Sequence, residues 1–376
     1  MKKKFFFFLL IFFFISNCIL LFKAYNNKTF PYYEAGYIFR KLDRELNKIF
    51  IGKDKIQTEI IETAYSNNIS KASKSKKLET ALLPLKMQTI NIDQYVKFAE
   101  KGGDLANAKN IIILLDRLGN IFSYNGDVVF KEKIKVPNNI ENFIIDYTGD
   151  NIKFTSDSLR SYSIDYDNIN KKLYVSYTQY VKDNIIKLKV SSLKYDFDNH
   201  TKISDWVDHF ETENLFDAAN ASQGGGGKLK LDGNYLYLTV GYTYQKKIKD
   251  KLYFSSNDPK SFTGKIIKIN LENDNSRIIS LGHRNSQGIV ILNNGTILST
   301  EHGPQGGDEV NEIIEGQHYG YPFKIFGTSY GEYKIAGHPK KNIIKNYTDP
   351  IYFFSPSIGI SAIEQISKFH ERWKND

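Results

Sequence analysis

The stretch of sequence that decides the fold is KLDGNYLYLT at residues 230–239, where an Asp-Gly-Asn turn joins two apolar runs. A turn of this kind between alternating apolar residues is typical of a β-hairpin. The same pattern of apolar run, polar turn and apolar run recurs along the chain. The other copies are LLDRLGNIFS at 114–123, SIDYDNINKKLYVS at 163–176 and ILNNGTILS at 291–299.

The spacing of these hairpin patterns indicates how they are arranged. Taking Ile121, Leu173, Leu236 and Ile297 as equivalent positions gives steps of 52, 63 and 61 residues. A period of this length with several strands per period is typical of β-propeller blades, whereas sandwiches lack such a long-range period. We therefore expect residues 81–376 to form an all-β propeller.

Short apolar, β-branched and aromatic runs between Asp, Asn and Gly turns predict the individual strands. The clearest runs are residues 110–115, 121–124, 173–177, 185–190, 236–240, 265–269 and 288–292. No long helical pattern interrupts them, so we expect strands throughout this region.

The composition argues against two kinds of site. Lys and Arg number 51 against 42 Asp and Glu, a formal net charge of +9, but only seven of the 51 are Arg. Because nucleic-acid recognition favours the bidentate fork of Arg, this diffuse Lys excess predicts no nucleic-acid partner. The single cysteine, Cys18, excludes an internal disulfide and a cysteine-based metal site.

The amino terminus predicts a membrane anchor. Three lysines at residues 2–4 precede a mostly apolar run at residues 5–22, which as a helix would span about 27 Å. The lysines are expected to stay in the cytoplasm, so the rest of the chain is expected on the exported side. No small-residue cleavage site follows the run, which favours an uncleaved anchor over residues 1–22. A cleaved signal peptide and a lipoprotein signal at Cys18 are the alternatives.

Residues 23–80 differ from the regions on either side. They are polar and Lys-rich, and the Ser/Asn/Lys stretch at 66–77 is typical of a linker. We therefore expect a membrane-proximal helical stalk and linker over residues 23–80.

The glycine run at residues 224–227 is not expected to bind phosphate. A phosphate loop follows a strand and opens a helix, whose amino terminus meets the anion. Here the run leads into the strand before the Asp-Gly turn. A tight turn, or a loop whose backbone closely approaches a ligand, fits this context better.

Two polar segments flank the predicted hairpin at residues 289–300. GHRNSQG at 282–288 precedes the hairpin, and EHGPQGGDE at 301–309 follows it, so both should converge at one end of the same blade. Arg, Asn and Gln supply planar hydrogen-bonding groups for carboxylates or quinone oxygens. The Gly-Pro step supplies backbone carbonyls, which are ligands for a hard cation. From composition alone, a ligand site and a purely structural set of turns both stay open.

Three motifs in this region resemble the glucose/sorbosone dehydrogenase family. They are RN-x-QG at 284–288, EHGPQGGDE followed by Asn311, and YGYP at 319–322. Weaker agreement extends the resemblance from about residue 82 to the carboxyl end. The resemblance implies a six-bladed propeller that binds pyrroloquinoline quinone over a calcium ion. It also implies oxidation of a sugar C1 hydroxyl by hydride transfer to the quinone.

Carried over by position, the resemblance implies roles for individual residues. The residues expected to bind the quinone are Arg284, Asn285, Gln287 and Gln245. The expected calcium ligands are the backbone carbonyls of Gly303 and Pro304, and Asp308 is expected near the sugar pocket.

One departure from the family pattern concerns the catalytic base. In the family the base is the histidine of His-x-Gly-Gly-Arg/Lys-Leu, and alignment on residues 226–229 puts Gly224 at its position. Glycine cannot accept a proton, so general-base catalysis worth about 10²–10⁴ in rate would be missing. None of the seven histidines is an obvious replacement. A metal site of His302, Asp308 and Glu309 is an alternative use of the polar cluster.

Two functions therefore stay open. One is a membrane-anchored sugar dehydrogenase that passes electrons to an unidentified acceptor, and the other is a non-catalytic propeller that binds carbohydrate or a protein. The motifs at Arg284 and Gly303 favour the first, and Gly224 favours the second. The chain stops where the family continues into further strands, so we also expect it to be a fragment of a longer protein.

Overall fold

Alternating apolar residues form four multi-stranded sheets and one separate hairpin in the part of the chain that the structure describes. The structure is a computed structural model that describes residues 70–79, 84–90, 103–140, 142, 159–182, 185–216, 226–242, 245–248, 251–328 and 347–366. All of these fall within one of the two units into which the chain divides, residues 60–143 with 154–376. The prediction of an all-β domain is confirmed.

The first sheet has six antiparallel strands in the order β2-β1-β6-β5-β4-β3. They are β1 (Ser70–Glu79), β2 (Pro84–Ile90), β3 (Gly103–Ala108), β4 (Ile111–Asp116), β5 (Asn120–Tyr124) and β6 (Val128–Lys135). Strand β1 falls in the stretch 66–77 that was predicted to be a linker, and that prediction is wrong. The strand pairs with β2 and, at Ser70 and Lys71, with β6. Strand pairing runs through backbone hydrogen bonds, which Ser and Lys side chains do not prevent.

The second sheet is built on one long central strand, β9, with β8 and β7 on one side of it. Three short strands, β10, β11 and β12, also pair with β9. The strands are β7 (Ser161–Asp167), β8 (Lys172–Lys182), β9 (Ile185–Asp196), β10 (Thr201–Lys202), β11 (Val207–Glu211) and β12 (Leu215–Phe216).

The third and fourth sheets carry the polar motifs. The third contains β13 (Gly226–Asp232), β14 (Tyr235–Val240), β17 (Lys265–Asn270) and β18 (Ser276–Leu281). Between β14 and β17 lie a separate hairpin and a 3-10 turn: β15 (Gln245–Ile248), β16 (Lys251–Phe254) and Ser255–Asn257. The fourth contains β19 (Ser286–Ile291), β20 (Ile297–Glu301) and β21 (Asp308–Glu312). Strand β22 (Gln317–His318) pairs with β18, and β23 (Tyr352–Phe354) pairs with β21.

The four sheets are arranged as consecutive propeller blades. Their first strands, β3, β7, β13 and β19, contact one another in chain order. Hydrophobic clusters fill the spaces between successive sheets. In β14, Leu236 and Leu238 join the cluster shared with the second sheet, whereas Tyr237 joins the cluster shared with the fourth. Both faces of this strand are therefore buried, which explains its almost continuous apolar sequence.

The structure corrects one equivalence among the repeats. Leu173, Leu236 and Ile297 lie in the second strands of their blades, but Ile121 lies in β5, the third strand of the first blade. The second strands β4, β8, β14 and β20 begin at residues 111, 172, 235 and 297, which are 61, 63 and 62 residues apart. The step of 52 residues is wrong because both hairpins of the first blade have the same apolar-turn-apolar form.

No helix in the described ranges is long and apolar enough to cross a membrane. The predicted anchor at residues 1–22 lies outside the described residues, as do residues 23–69 of the predicted stalk and the catalytic-base position Gly224.

Candidate functional site

The two polar segments meet at one end of the β19–β20 hairpin, as predicted. Ser286, the first residue of β19, pairs with Glu301, the last residue of β20. Arg284 and Asn285 immediately precede this pair, and the loop from His302 immediately follows it. A backbone hydrogen bond of 3.0 Å from the His302 N–H to the Asn285 carbonyl ties the two segments together.

Arg284 is the centre of this cluster. It is only 8% exposed, and its Nη1 donates to the carbonyl oxygens of His302 and Gly303 at 3.0 and 3.1 Å. Its backbone N–H donates to the Glu301 carboxylate. The positive guanidinium of Arg284 therefore interacts with the carbonyl oxygens of the loop that begins at His302. The other N–H groups of the guanidinium are the donors that a ligand could use.

A buried relay holds the backbone of Arg284. His283 Nδ1 lies 2.9 Å from Glu301 Oε2, and His283 Nε2 lies 2.8 Å from Ser280 Oγ. All three side chains are buried, and the imidazole stacks on the ring of Tyr319. Burial by itself would raise the pKa of Glu301, but the hydrogen bond and charge of His283 outweigh it and lower that pKa. Despite its resemblance to a Ser-His-acid triad, the relay is closed to solvent, so its role is structural.

Glu309 is a second buried acid beside Glu301. The two residues are cross-strand partners in β20 and β21. Burial and the negative charge of Glu301 raise the pKa of Glu309 to about 8, against which a hydrogen bond of 3.1 Å from Asn311 acts only weakly. Glu301 is therefore ionised and Glu309 neutral near pH 7, because two adjacent buried carboxylates cannot both keep a charge cheaply.

Asn285 and Gln287 lie beside Arg284 and are joined to each other. Gln287 Nε2 donates to Asn285 Oδ1 at 2.5 Å. This bond fixes the start of β19, and the quinone contacts expected of both residues stay predictions.

Asp308 is surrounded by donors from its own chain. Its Oδ1 accepts the Gly303 N–H at 3.0 Å, and its Oδ2 accepts the amides of residues 358–360 at 3.1, 2.7 and 3.2 Å. Burial by itself would raise the pKa of Asp308, but hydrogen bonds from Ser357 and from these amides lower it overall. In this arrangement the Asp308 carboxylate links the Gly303 loop to the segment that follows β23 through hydrogen bonds. The expected contact between Asp308 and a sugar stays a prediction.

The Gly303–Pro304 loop has the donor chemistry of a calcium site. A Cβ at Gly303 would lie 2.0 Å from the Gly306 oxygen and 2.5 Å from the Gly307 oxygen, so carbonyls crowd this position and only glycine fits. Carbonyl oxygens are suitable calcium ligands. The Gly303 oxygen, however, already accepts from Arg284, so the loop fits calcium once that hydrogen bond is released.

The described residues do not form a metal site from acidic and histidine side chains. Within the described ranges, no group of three His, Cys, Asp or Glu residues is placed to hold an ion. The alternative of His302, Asp308 and Glu309 as a metal site is therefore wrong, since Asp308 is turned towards backbone amides instead.

Gln245 lies on a different element from the other predicted quinone ligands. It is the first residue of β15 and pairs with Phe254 in the hairpin between β14 and β17. The same connection brings Tyr242 to the cluster, because the Tyr242 N–H donates to the Arg284 carbonyl at 2.7 Å. The ring of Tyr242 meets that of Tyr321, from the YGYP motif, edge to face at 5.3 Å.

Lys265, which no sequence pattern indicated, is a buried residue linked to this aromatic pair through the 3-10 turn. The side chain is fully buried, and its Nζ donates to the carbonyls of Ser255, Ser256 and Thr263 at 2.9, 2.9 and 2.8 Å. Burial lowers its pKa to about 8. The 3-10 turn that Lys265 holds in turn donates to the Tyr321 carbonyl, from the Ser256 hydroxyl at 3.1 Å. No local sequence signal marks a lysine that is paired only with carbonyls.

Comparison with known proteins agrees with this site. Residues 162–376, more than half of the chain, match the family described as Glucose / Sorbosone dehydrogenase. An aldose sugar dehydrogenase of Escherichia coli is 28% identical over 153 residues, which are 37% of this chain and 39% of that protein. Quinoprotein glucose dehydrogenase B of Acinetobacter calcoaceticus is 38% identical over 106 residues, which are 24% of this chain and 22% of that protein.

The fold agrees as well. The apo crystal structure of the soluble aldose sugar dehydrogenase from Escherichia coli superposes with a TM-score of 0.57 at 19% identity, covering 73% of this chain and 78% of that one. The sequence matches span well under two thirds of the two relatives above. With the family match extending over the blades that carry the Arg284 and Gly303 loops, the chain belongs to the glucose/sorbosone dehydrogenase family.

Proposed function

We propose that this protein is a quinone-dependent sugar dehydrogenase that oxidises the C1 hydroxyl of an aldose. The observation that carries the proposal is the contact between Arg284 and the Gly303 loop, with hydrogen bonds of 3.0 and 3.1 Å from the guanidinium to its carbonyls. A guanidinium beside a carbonyl-rich loop combines a donor for an anionic quinone with ligands for a hard cation. Family membership and the names of the two relatives support the same reaction class.

The chain's own residues would share the binding work at this site. The quinone would be held by Arg284, Asn285, Gln287 and Gln245. Calcium would be held by the carbonyls of Gly303 and Pro304 after Arg284 leaves the Gly303 oxygen. When bound, the quinone supplies the acceptor for the hydride that leaves C1 of the sugar.

The remaining features of the proposal concern architecture and location. We propose that the ring closes as six blades, that residues 1–22 anchor the protein in a membrane and that the propeller lies on the exported side. Three lysines followed by an apolar run support this orientation. Electrons would pass to an acceptor that is not identified.

A second candidate is a propeller that binds carbohydrate or a protein without oxidising it. Gly224 at the family's base position favours this candidate, because the proton of the C1 hydroxyl would have no side chain to receive it. A chain of this kind would bind the quinone or a sugar but turn over about 10²–10⁴ times more slowly than a member with histidine.

One experiment separates the two candidates. The full chain is purified in detergent, and calorimetry with calcium and pyrroloquinoline quinone is followed by a dye-reduction assay with aldoses. Binding with turnover supports the enzyme, whereas binding without turnover supports the non-catalytic propeller. Failure to bind micromolar quinone would exclude the dehydrogenase. The Gly224→His variant should raise turnover, and an unchanged rate would contradict the alignment at that position.

A further inference from the structure

Two arginines flank the start of β13, one on each side. The first strands of three successive blades, β7, β13 and β19, lie next to one another here. The ring of Tyr162 lies against Gly227, where a Cβ would be 2.5 Å from the ring. On the other side, Thr239 Oγ1 accepts the Lys228 N–H at 3.1 Å and donates to the Ser286 carbonyl at 3.0 Å. Residues just before β7 and β19 therefore lie on either side of the β13 start.

Those residues are Arg160, directly before β7, and Arg284, two residues before β19. The arginines thus lie just before the first strands of two blades, and the first strand of the blade between them begins with the Gly226-Gly227 step. The family's catalytic base would be expected near this step, at Gly224. The end of the propeller where the family's base is expected therefore carries two guanidinium groups.

The backbone of Arg160 is fixed by hydrogen bonds, whereas the Nε of its side chain has no partner among the described residues. Its backbone N–H donates to Thr178 Oγ1 at 2.8 Å, and its carbonyl accepts the Thr178 N–H at 2.9 Å. Its guanidinium carbon lies over the Tyr162 ring, 4.6 Å from the ring centroid. Its Nε is shielded from solvent and has no acceptor in the part of the chain that the structure describes.

An unpaired, solvent-shielded N–H on a fixed cation is rare in proteins, since buried donors are almost always satisfied. The cation–π contact with Tyr162 places the guanidinium without using any of its N–H groups. The planar fork matches a carboxylate, which can accept two parallel hydrogen bonds from it. A neutral sugar hydroxyl would satisfy one donor but would leave the charge uncompensated.

We propose that Arg160 is a carboxylate-binding residue of the same site, acting across the Gly226-Gly227 step from Arg284. The carboxylate belongs either to the quinone, which is a tricarboxylic acid, or to an acidic sugar such as a uronic acid. This inference rests on the proposed function in one respect: the ligand of Arg160 would bind at the same site as the ligand of Arg284.

The test measures binding, not turnover. The full chain and the variants Arg160→Gln and Arg160→Lys are titrated by calorimetry with pyrroloquinoline quinone, with glucuronate and with glucose, at one fixed ionic strength. Arg277→Gln is the matched control, because Arg277 is exposed at the opposite end of the third blade and pairs with Glu315. Melting temperatures report whether each variant is folded.

Arg160→Gln should weaken carboxylate binding about tenfold, equivalent to about 1.4 kcal/mol, and should leave glucose binding unchanged. Arg160→Lys, which keeps the charge but loses the fork, should lose about threefold with an unchanged melting temperature. Arg277→Gln should bind like the parent chain. A loss confined to the quinone identifies the quinone carboxylate, and a loss confined to glucuronate identifies an acidic sugar.

Three outcomes would overturn the inference. The two Arg160 variants could bind both carboxylate ligands within twofold of the parent affinity, or their affinity for glucose could fall as much as their affinity for the carboxylates. The third outcome is that the parent chain binds neither carboxylate ligand. If the parent binds the quinone and Arg160→Gln binds both the quinone and glucuronate as well as the parent does, Arg160 has no such role while the proposed function stands. If the parent binds glucuronate through Arg160 but not the quinone, the dehydrogenase proposal fails and this inference stands.

Discussion

The guanidinium of Arg284 donates from Nη1 to the carbonyl oxygen of Gly303 at 3.1 Å. The resemblance gives these two residues separate roles, the first on the quinone and the second on calcium. In the structure the arginine itself serves as the cation on the carbonyl. Calcium and the side chain therefore compete for one oxygen, and metal binding would release Arg284 towards a ligand.

We expect Arg284→Gln to bind calcium about tenfold more tightly than the parent chain when no quinone is present. The neutral side chain no longer competes for the Gly303 oxygen and no longer repels the ion. Calcium titration by calorimetry measures the effect. Lys324→Gln is the charge control, because Lys324 pairs with Asp349 rather than with the loop carbonyls, so its effect should be smaller. Equal or weaker calcium binding by Arg284→Gln would contradict the competition.

Glu301→Gln should lower the free energy of unfolding by about 1–3 kcal/mol, because it removes the buried carboxylate that pairs with the His283 imidazole and accepts the Arg284 N–H. His283, the partner, is fully buried. Urea denaturation gives the value. The matched control is Glu315→Gln, where an exposed pair with Arg277 is lost and the change should stay within about 1 kcal/mol. A similar decrease in the free energy of unfolding of both variants would show that the buried Glu301–His283 pair stabilises the protein no more than an exposed ion pair does.

The stability of the protein should depend on pH through Glu309. Its pKa is raised from 4.5 to about 8, so the folded chain keeps a proton that the unfolded chain releases between these values. This contribution is complete below pH 4.5 and is lost as the pH rises through about 8. Glu309→Gln cannot ionise, so its stability relative to the parent should increase with pH across this window, by at most about 1.4 kcal/mol per unit.

Urea denaturation of parent and Glu309→Gln at pH 5 and pH 8 checks this sign. Glu312→Gln, on the exposed end of the same strand, is the control and should leave the pH dependence of the parent unchanged. A stability difference between parent and Glu309→Gln that is the same at both pH values would disprove the assignment.

Gly227→Ala should destabilise the protein more than Gly233→Ala. Both glycines have positive φ, 78° and 55°, so alanine costs about 1–2 kcal/mol at either site. A Cβ at Gly227 would also meet the Tyr162 ring at 2.5 Å, whereas at Gly233 nothing lies within 4 Å. Overpacking adds about 1–3 kcal/mol for Gly227→Ala. Equal losses in thermal denaturation would mean that Tyr162 does not rest on Gly227.

Much of the fold was predictable from local patterns. The predicted runs at 110–115 and 265–269 match observed strands to within one residue at their ends, and the run at 173–177 lies inside the longer strand β8. The linker prediction at 66–77 failed because the Ser and Lys residues of β1 have no apolar alternation to detect. The predicted equivalence of Ile121 with Leu173, Leu236 and Ile297 was wrong because the two hairpins of the first blade have the same sequence pattern.

The site was predictable only in part. The convergence of residues 282–288 with 301–309 followed from the hairpin between them, since antiparallel pairing brings both ends together. The buried neutral Glu309 and the carbonyl-bound Lys265 could not be foreseen, because their protonation depends on burial and on neighbouring charges rather than on sequence spacing.

Alternating side chains and Asp/Asn/Gly turns were enough to specify the hairpins, because strand period and turn geometry are properties of a few neighbouring residues. The partners of the polar side chains were decided by the stacking of blades. Lys228 pairs with Asp104, which is 124 residues away, and Arg160 reaches the Gly227 step through Tyr162. Such contacts depend on how neighbouring sheets align, and that alignment arises only when their apolar faces are buried together.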